Sequence, residues 1–559
     1  MQTDAAAVPA SVVQTSGRSR SWVQRIPRGK LGINSLILLV ALYLSLALNS
    51  SFWSQVWQGL PAPLGIQEWT IAGALFVALN VLLTLVMLMF SQHRVVRPVL
   101  AALIVLAAVC SYFMDSFGVV IDSAMIANLL QTDAREASEL LGRRLFLHVA
   151  MFGLIPAVLV LRVRLRTGRW YRELLRRLLL GGLALAVLIA CVAANYKSLS
   201  LWVRAHRDIR LYVNPTYPIY STIRQVQSAV KPPDARVAAI ATDAVREPAV
   251  SGRPRVVVLV VGETARAQNF SLLGYPRATN PQLAAIPGVV SFEQVWSCGT
   301  ATAVSVPCMF SRLGREDFSR SKARREENLL DVLQRTGVSV LWRDNNSDCK
   351  GVCARVPTQD LRRHPLDAYC DADGCRDEVL LDGLDELIAA SSDDQLIVLH
   401  LLGSHGPAYY KRYPPEFRRF VPDCAQDDVQ ACSRDAIVNA YDNTILYTDH
   451  VLARLIELLK RHQAQVDPTL LYVSDHGESL GENGIYLHGL PYALAPDEQK
   501  RVPLLLWSPP HAFDCMQAQR SRPSSHDDLF HTVLGLFSVR TRAYRAQADL
   551  IRGCGPSTR

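Results

Sequence analysis

The sequence predicts a chain in two parts: a bundle of five membrane-spanning helices, then an outward-facing α/β domain with helices on both faces of a sheet. Three observations predict it. Five apolar stretches crowd the first 200 of 559 residues, apolar strands alternate with helical runs from about residue 250, and ten of twelve cysteines follow residue 295. Half of the residues are hydrophobic, 19% are charged and mean hydropathy is +0.13, which is high for a soluble chain of this size. That composition excludes intrinsic disorder, a collagen-like chain and a small disulfide scaffold. The net charge of +9 suits either nucleic acid or cytoplasmic loops beside a membrane, and its placement along the chain decides between them.

The apolar stretches cover 32–50, 70–90, 97–114, 145–163 and 177–194. Each approaches the roughly 20 residues that cross about 30 Å of hydrocarbon as a helix. Segments 36–48 and 81–90 lack the polar stripe of a soluble helix. Basic residues gather in alternate loops: Arg18, Arg20, Arg25, Arg28 and Lys30 before the first stretch, Arg94 and Arg97 before the third, and Arg162, Arg164, Arg166, Arg169, Arg172, Arg176 and Arg177 around the link from fourth to fifth. The positive-inside rule puts these loops in the cytoplasm, and an odd number of spans puts everything after about residue 195 outside. Positive charge is then largely topology, and nucleic acid is not an expected partner. The first stretch is too long for a cleavable signal and no small-residue cleavage site follows, so it is expected to remain as an anchor.

The expected organisation is a cytoplasmic tail over 1–30, a five-span domain over 31–198, interfacial helices and a linker over 199–250, and an outer domain over 251–559. The loop 115–144 is acidic, with Asp115, Asp122, Asp133, Glu136 and Glu139, and suits a helix on the outer surface. Residues 200–230 interleave Trp202, Tyr212, Tyr217 and Tyr220 with Arg204, Arg207, Arg210 and Arg224, as an amphipathic segment at the lipid–water boundary would.

Cys110 and Cys191 fall inside apolar spans and read as small apolar residues. Eight of the others form close pairs, Cys298/Cys308, Cys349/Cys353, Cys370/Cys375 and Cys424/Cys432, which read as disulfides in an oxidising compartment. A four-cysteine zinc site from 349, 353, 370 and 375 is the rival reading. Cys515 and Cys554 are left over and can pair with each other.

In the outer domain the segments 255–261, 395–402, 469–473 and 502–507 are continuous buried strands, and 327–336 and 436–461 are helical. Ligands in such folds sit at the carboxyl ends of strands. Three strands end in Glu263, in His405, and in Asp475-His476-Gly477-Glu478. Carboxylates with imidazole at converging strand ends suit Zn²⁺ or Mn²⁺. The hydroxyl-rich turn 297–308 is either an ordinary capping loop or the source of a nucleophile, since a hydroxyl beside a divalent cation loses its proton more easily.

At these residues the chain resembles the phosphoethanolamine transferases that modify lipid A, a group that includes the colistin-resistance enzymes. The matching motifs are VGETAR (261–266), SCGTATAVSVPCMFS (297–311), WRDNNSDCKGVC (342–353), GSHGPAY (403–409), NAYDNTILYTD (439–449) and SDHGESLGENGIYLHGLP (474–491), in order along nearly the whole chain. The resemblance implies an alkaline-phosphatase/sulfatase-like α/β/α domain in the periplasm on a five-helix domain in the bacterial inner membrane. It implies Thr302 as nucleophile and Glu263, Thr302, Asp475 and His476 as ligands of one catalytic Zn²⁺, with a second zinc left open. His405 and His488 match histidines near the phosphoryl group. Asn346, Ser347, Lys350 and Glu478 match residues around the ethanolamine phosphate, Glu478 as a partner for its ammonium. Asn128 and Glu136 match positions linked to lipid contact. The implied donor is phosphatidylethanolamine, the acceptor a lipid A phosphate, the expected state a monomer, and the phenotype lower polymyxin susceptibility.

A core sugar, a periplasmic glucan or a protein are alternative acceptors. The C-x-P-x-R motif of sulfatases does not surround Thr302, and the paired cysteines argue against a lipoteichoic acid synthase. A membrane protein that only binds lipid or metal is the non-catalytic alternative. The cluster Ser525, His526, Asp527, Asp528 and His531 reads as packing or capping, and the basic run 320–325 as solvated surface.

Overall fold

The apolar stretches fold as helices, one of them broken. The computed structural model describes residues 30–131, 139–166, 168–230, 237–362, 368–371, 373–508 and 513–554. Helices α1 (Ile33–Ala47) and α2 (Ser50–Gln58) are bent against each other by 57°. Then come α3 (Ile66–Leu88), α4 (Val96–Phe117), α5 (Ser123–Gln131), α6 (Arg143–Arg162) and α7 (Trp170–Ala194). Among the described residues α3, α4, α6 and α7 are each long and apolar enough to cross a membrane, and α1 with α2 makes a fifth span only if the bent pair counts as one.

The break has a chemical cause. Asn49 Nδ2 donates to Leu44 O at 2.9 Å and to Asn214 O at 2.8 Å, while Asn214 Nδ2 donates to Leu48 O and Ala107 O, both at 2.8 Å. Two buried amides thus satisfy backbone carbonyls that a bend between apolar helices would strand. The same pair ties α1 and α4 to the segment leading into the next surface helix.

Residues 196–230 form α8 (Tyr196–Ala205), a 3₁₀ turn (Arg207–Tyr212) and α9 (Thr216–Val230). Trp202 departs from the expected boundary position: it is buried, donates to Gly59 O at 2.9 Å and stacks on His206. The outer loop supplies α5, which packs on α9 and on the helix α10 (Thr302–Met309) of the outer domain.

The outer domain is built on a seven-stranded sheet. Its strands are β1 (Arg255–Gly262), β2 (Val289–Phe292), β3 (Ser339–Asp344), β4 (Thr358–Asp360), β5 (Gln395–His400), β6 (Asp467–Ser474) and β7 (Leu504–Trp507), in spatial order β2-β7-β6-β1-β5-β3-β4. The run from β6 to β4 is parallel, and β7 is antiparallel to both neighbours. Val256, Val258 and Val260 enter one core with Ile397, Leu399 and the long helix α11 (Arg434–Arg461). Val257, Leu259 and Val261 enter the other with Val306, Phe310 and Leu329–Leu333. Burial on both faces is why β1 reads as an unbroken apolar run.

All five outer pairs are disulfides: Cys298–Cys308, Cys349–Cys353, Cys370–Cys375, Cys424–Cys432 and Cys515–Cys554. The four-cysteine zinc reading falls with them.

At the amino ends of the strands Asp394 clamps the sheet. It accepts from Arg255 N at 2.7 Å and Arg255 Nε at 2.8 Å, and Arg246 Nη1 lies 2.6 Å away. Asp394→Ala leaves the buried Arg255 charge unpaired, at a cost of about 3–5 kcal/mol. The expected result is a lower thermal midpoint of the full chain in detergent with unchanged turnover per folded molecule, because the site lies at the opposite strand ends. An unchanged midpoint would contradict the clamp.

Candidate active site

Four side chains from three segments meet at the carboxyl ends of β1 and β6. In the parallel pairing Gly262 stands opposite Ser474, so the next residues, Glu263 and Asp475, leave the sheet side by side. His476 follows directly. Thr302 arrives from the third segment as the first residue of α10. Glu263, Asp475 and His476 are 0% exposed, and their ligand atoms all lie within 4.8 Å of one another. Thr302 Oγ1 is 3.2 Å from both Glu263 oxygens and 3.3 Å from His476 Nε2.

The tautomer of His476 follows from its neighbours. Nδ1 lies 3.0 Å from Gly477 O, and a carbonyl only accepts, so Nδ1 carries the hydrogen and Nε2 faces the cluster. Nε2 is 3.3 Å from Glu263 Oε1 and 3.3 Å from Asp475 Oδ2, and Asp475 Oδ2 is a buried oxygen without a hydrogen bond. Carboxylate oxygens, an imidazole nitrogen and an orphaned buried acceptor fit a divalent cation. Without one, the charges fall on each other. Burial raises Glu263, but the hydrogen bond and charge of His476 outweigh it and hold the carboxyl low. Burial, then the charge of Glu263, raises Asp475 to about 7. Burial lowers His476, but Asp475 and Glu263 outweigh it and raise the imidazole to about 10.

The backbone is fitted closely around these groups. Gly403 has φ +57° and passes so near Glu263 that a Cβ would lie 2.7 Å from Glu263 O. Thr264 sits in left-handed backbone at φ +52°, held by Tyr441 Oη–H to its carbonyl at 2.7 Å and by its own N–H to Asp475 Oδ1 at 3.2 Å.

His405 and His488 line the same site, their rings 5.6 Å apart, and His488 is 4.4 Å from the ring of His476. Asn346 Nδ2 donates to Glu263 Oε2 at 2.8 Å and to Leu401 O at 2.9 Å, so it orients the carboxylate. Lys350 Nζ is 2.7 Å from Ser347 Oγ on the adjoining turn. Asn128 Nδ2, on α5, lies 3.8 Å from where a side chain on Gly489 would begin, next to His488. Glu136 lies outside the described residues.

A family model described as phosphoethanolamine transferase EptA/EptB matches residues 76–230, and one described as sulfatase matches residues 255–539. Phosphoethanolamine transferase EptA of Escherichia coli K12 is 40% identical, covering 95% of this chain and 98% of its own length. Phosphatidylethanolamine transferase Mcr-1 of Escherichia coli is 42% identical, covering 92% and 97%. The integral membrane lipooligosaccharide phosphoethanolamine transferase A (EptA) from Neisseria meningitidis superimposes with a TM-score of 0.89 at 35% identity, covering 95% of this chain and all of that one. The chain belongs to the EptA-type phosphoethanolamine transferase family.

In this transferase family member Glu478 packs against two other site side chains. Glu478 is 0% exposed, and both its oxygens are taken: Oε2 is 3.0 Å from His488 Nδ1 and Oε1 accepts from Tyr409 Oη at 3.2 Å.

His526, expected only to pack or cap, holds the Thr302 turn against β6. Its Nε2 lies 2.9 Å from Ser474 O and so donates, and its Nδ1 accepts from Cys298 N at 3.0 Å. Burial drives it down to about 3, which keeps it neutral and able to do both. Asp377 accepts from the N–H groups of Leu402 and Gly403, each at 2.8 Å, and so fixes the turn that carries His405. Neither residue stands in a motif with the group it positions, so nothing local in the sequence marks them.

A cation entering this cluster must displace the proton that His476 holds below about pH 10. Binding therefore releases protons, and apparent affinity is expected to rise about tenfold per pH unit between about 7 and 9. Calorimetry of zinc binding in buffers of different protonation enthalpy should find about one proton released near pH 8. Affinity that is flat with pH would contradict the geometry.

Proposed function

We propose that this chain is an inner-membrane enzyme with five spans and a periplasmic catalytic domain, acting as a monomer. It moves phosphoethanolamine from phosphatidylethanolamine to a lipid A phosphate through Thr302. The observation that carries this reading is the Thr302 hydroxyl at a helix N-terminus, bonded to Glu263 inside a buried carboxylate–imidazole cluster. The membrane reading draws support from α7, whose run 178–194 is apolar although none of its residues is buried, as suits a helix facing lipid. The donor is named in the Mcr-1 relative, and a lipooligosaccharide acceptor in the Neisseria protein.

Glu263, Asp475, His476 and Thr302 would hold one zinc ion, which supplies Lewis-acid polarisation and a lower hydroxyl pKa. The chain's own groups do the rest. Thr302 Oγ1 lies 3.2 Å from both Glu263 oxygens, which supports Glu263 as the first acceptor of the leaving proton. Oγ then attacks phosphorus, the bond to the glycerol oxygen breaks, and diacylglycerol leaves with a proton. His488 and His405 line the site as candidates to protonate this oxygen, and Glu478 Oε2, 3.0 Å from His488 Nδ1, orients the His488 ring. The N-terminal end of α10 favours the negative charge on the phosphoryl oxygens. In the second step a lipid A phosphate oxygen attacks the same phosphorus, the Oγ–phosphorus bond breaks, and Thr302 regains its proton. Lys350 lies on the nearby turn as a cation for the phosphoryl group.

Mass spectrometry of lipid A from a Gram-negative host tests this. Wild type should add a phosphoethanolamine and raise polymyxin tolerance, and Thr302→Ala should do neither. An adduct with both proteins would remove Thr302 from its role. No adduct with either, from folded protein in the membrane, would move the acceptor to a core sugar, a glucan or a protein.

A further inference from the structure

The segment around 409–432 of the outer domain, closed by the Cys424–Cys432 disulfide, meets the outer side of the membrane part. Gln430 Nε2 donates to Ser116 O at the end of α4, and Arg144 Nε of α6 lies 3.2 Å from Asp428 Oδ2. These contacts join the two parts at their rim. One contact goes deeper. Arg412 Nη2 donates to Glu139 Oε2 at 2.8 Å, and the side chains of the pair are 4% and 3% exposed. Glu139 stands in the connection between α5 and α6, so this buried pair crosses from one part of the chain to the other.

Arg412 uses its fork in two directions. While Nη2 holds Glu139, Nε donates to the backbone carbonyl of His405 at 2.8 Å. His405 is the histidine whose ring faces His488. A buried ion pair adds little net stability when weighed against apolar residues of similar size, so stability alone does not account for this one. A rigid planar donor with one end fixed by a carboxylate and the other on a backbone oxygen sets the position of that backbone.

We propose that Glu139 and Arg412 are positioning residues for His405, so that the catalytic site is completed only when the outer loop of the membrane part is in place. This rests on the proton-handling role given to His405 above. It explains why Arg and not Lys stands at 412: an ammonium is a single point and cannot serve both oxygens in this geometry.

The test is steady-state transfer by the full-length protein in detergent micelles. Wild type, Arg412→Lys, Glu139→Gln, their double variant and His405→Asn are compared on a fluorescent phosphatidylethanolamine. Arg412→Lys keeps a charge opposite Glu139, and Glu139→Gln keeps its size, so both are built to fold; thermal midpoints verify it. The expected result is a kcat lower by about tenfold to a hundredfold in each single variant with KM nearly unchanged. The double variant should be no slower than the slower single, as for two residues acting through one contact. A loss of stability alone would lower the midpoint and leave kcat per folded molecule intact, which would overturn the proposal. Wild-type kcat in both singles beside a slow His405→Asn would overturn it too. Wild-type kcat in His405→Asn would instead overturn the role of His405, and this inference with it.

Discussion

Two carboxylates and an imidazole, Glu263, Asp475 and His476, are buried without any exposure on two neighbouring parallel strand ends. The two carboxylates repel each other and lose their hydration, and a protonated His476 offsets only one of the two charges. Much of the surrounding structure answers to this cluster. Asn346 takes one oxygen of Glu263, the N–H groups of Thr264 and His476 bond to Asp475 Oδ1, and the Gly477 carbonyl fixes the His476 tautomer. Asp475 Oδ2 is left facing inward with no hydrogen bond. A cation would complete this set, and the hydroxyl of Thr302 stands within reach of the same point.

The membrane part is more than an anchor for this site. Helix α5 packs on α10, the helix that begins at Thr302, and Asn128 of α5 lies beside the Gly489 turn next to His488. Donor and acceptor, on the reading proposed here, are both lipids whose reacting groups lie at the membrane surface. A site assembled partly from the outer loop then meets both at one height. The buried Asn49–Asn214 pair serves the same end from below, because it ties the bend between α1 and α2 to the chain entering α9, on which α5 also rests.

The long apolar elements were legible in the sequence. Segment 255–261 became β1, 469–473 became the middle of β6, and 436–461 became most of α11. Strand β3 was not legible, since Ser339–Asp344 ends in Trp342, Arg343 and Asp344, whose burial depends on partners far along the chain. The break at Asn49 was hidden in the same way: the polar residues Asn49, Ser50 and Ser51 bend the run here because Asn214 is there to meet Asn49. In the site, residues at strand ends could be found from the order of strands and motifs. The contacts of Glu478 with His488 and Tyr409 could not be read, because side-chain direction sets them. His526 and Asp377 escaped because each bonds to a segment distant in sequence.

The most direct measurement is the metal content of the purified full-length protein, taken with phosphoethanolamine transfer before and after chelation. A buried cluster that requires a cation should hold about one zinc per chain, lose transfer when stripped, and regain it on adding zinc. Full transfer by protein free of divalent metal would contradict the central claim, because the charges of Glu263 and Asp475 would then be balanced by protons alone.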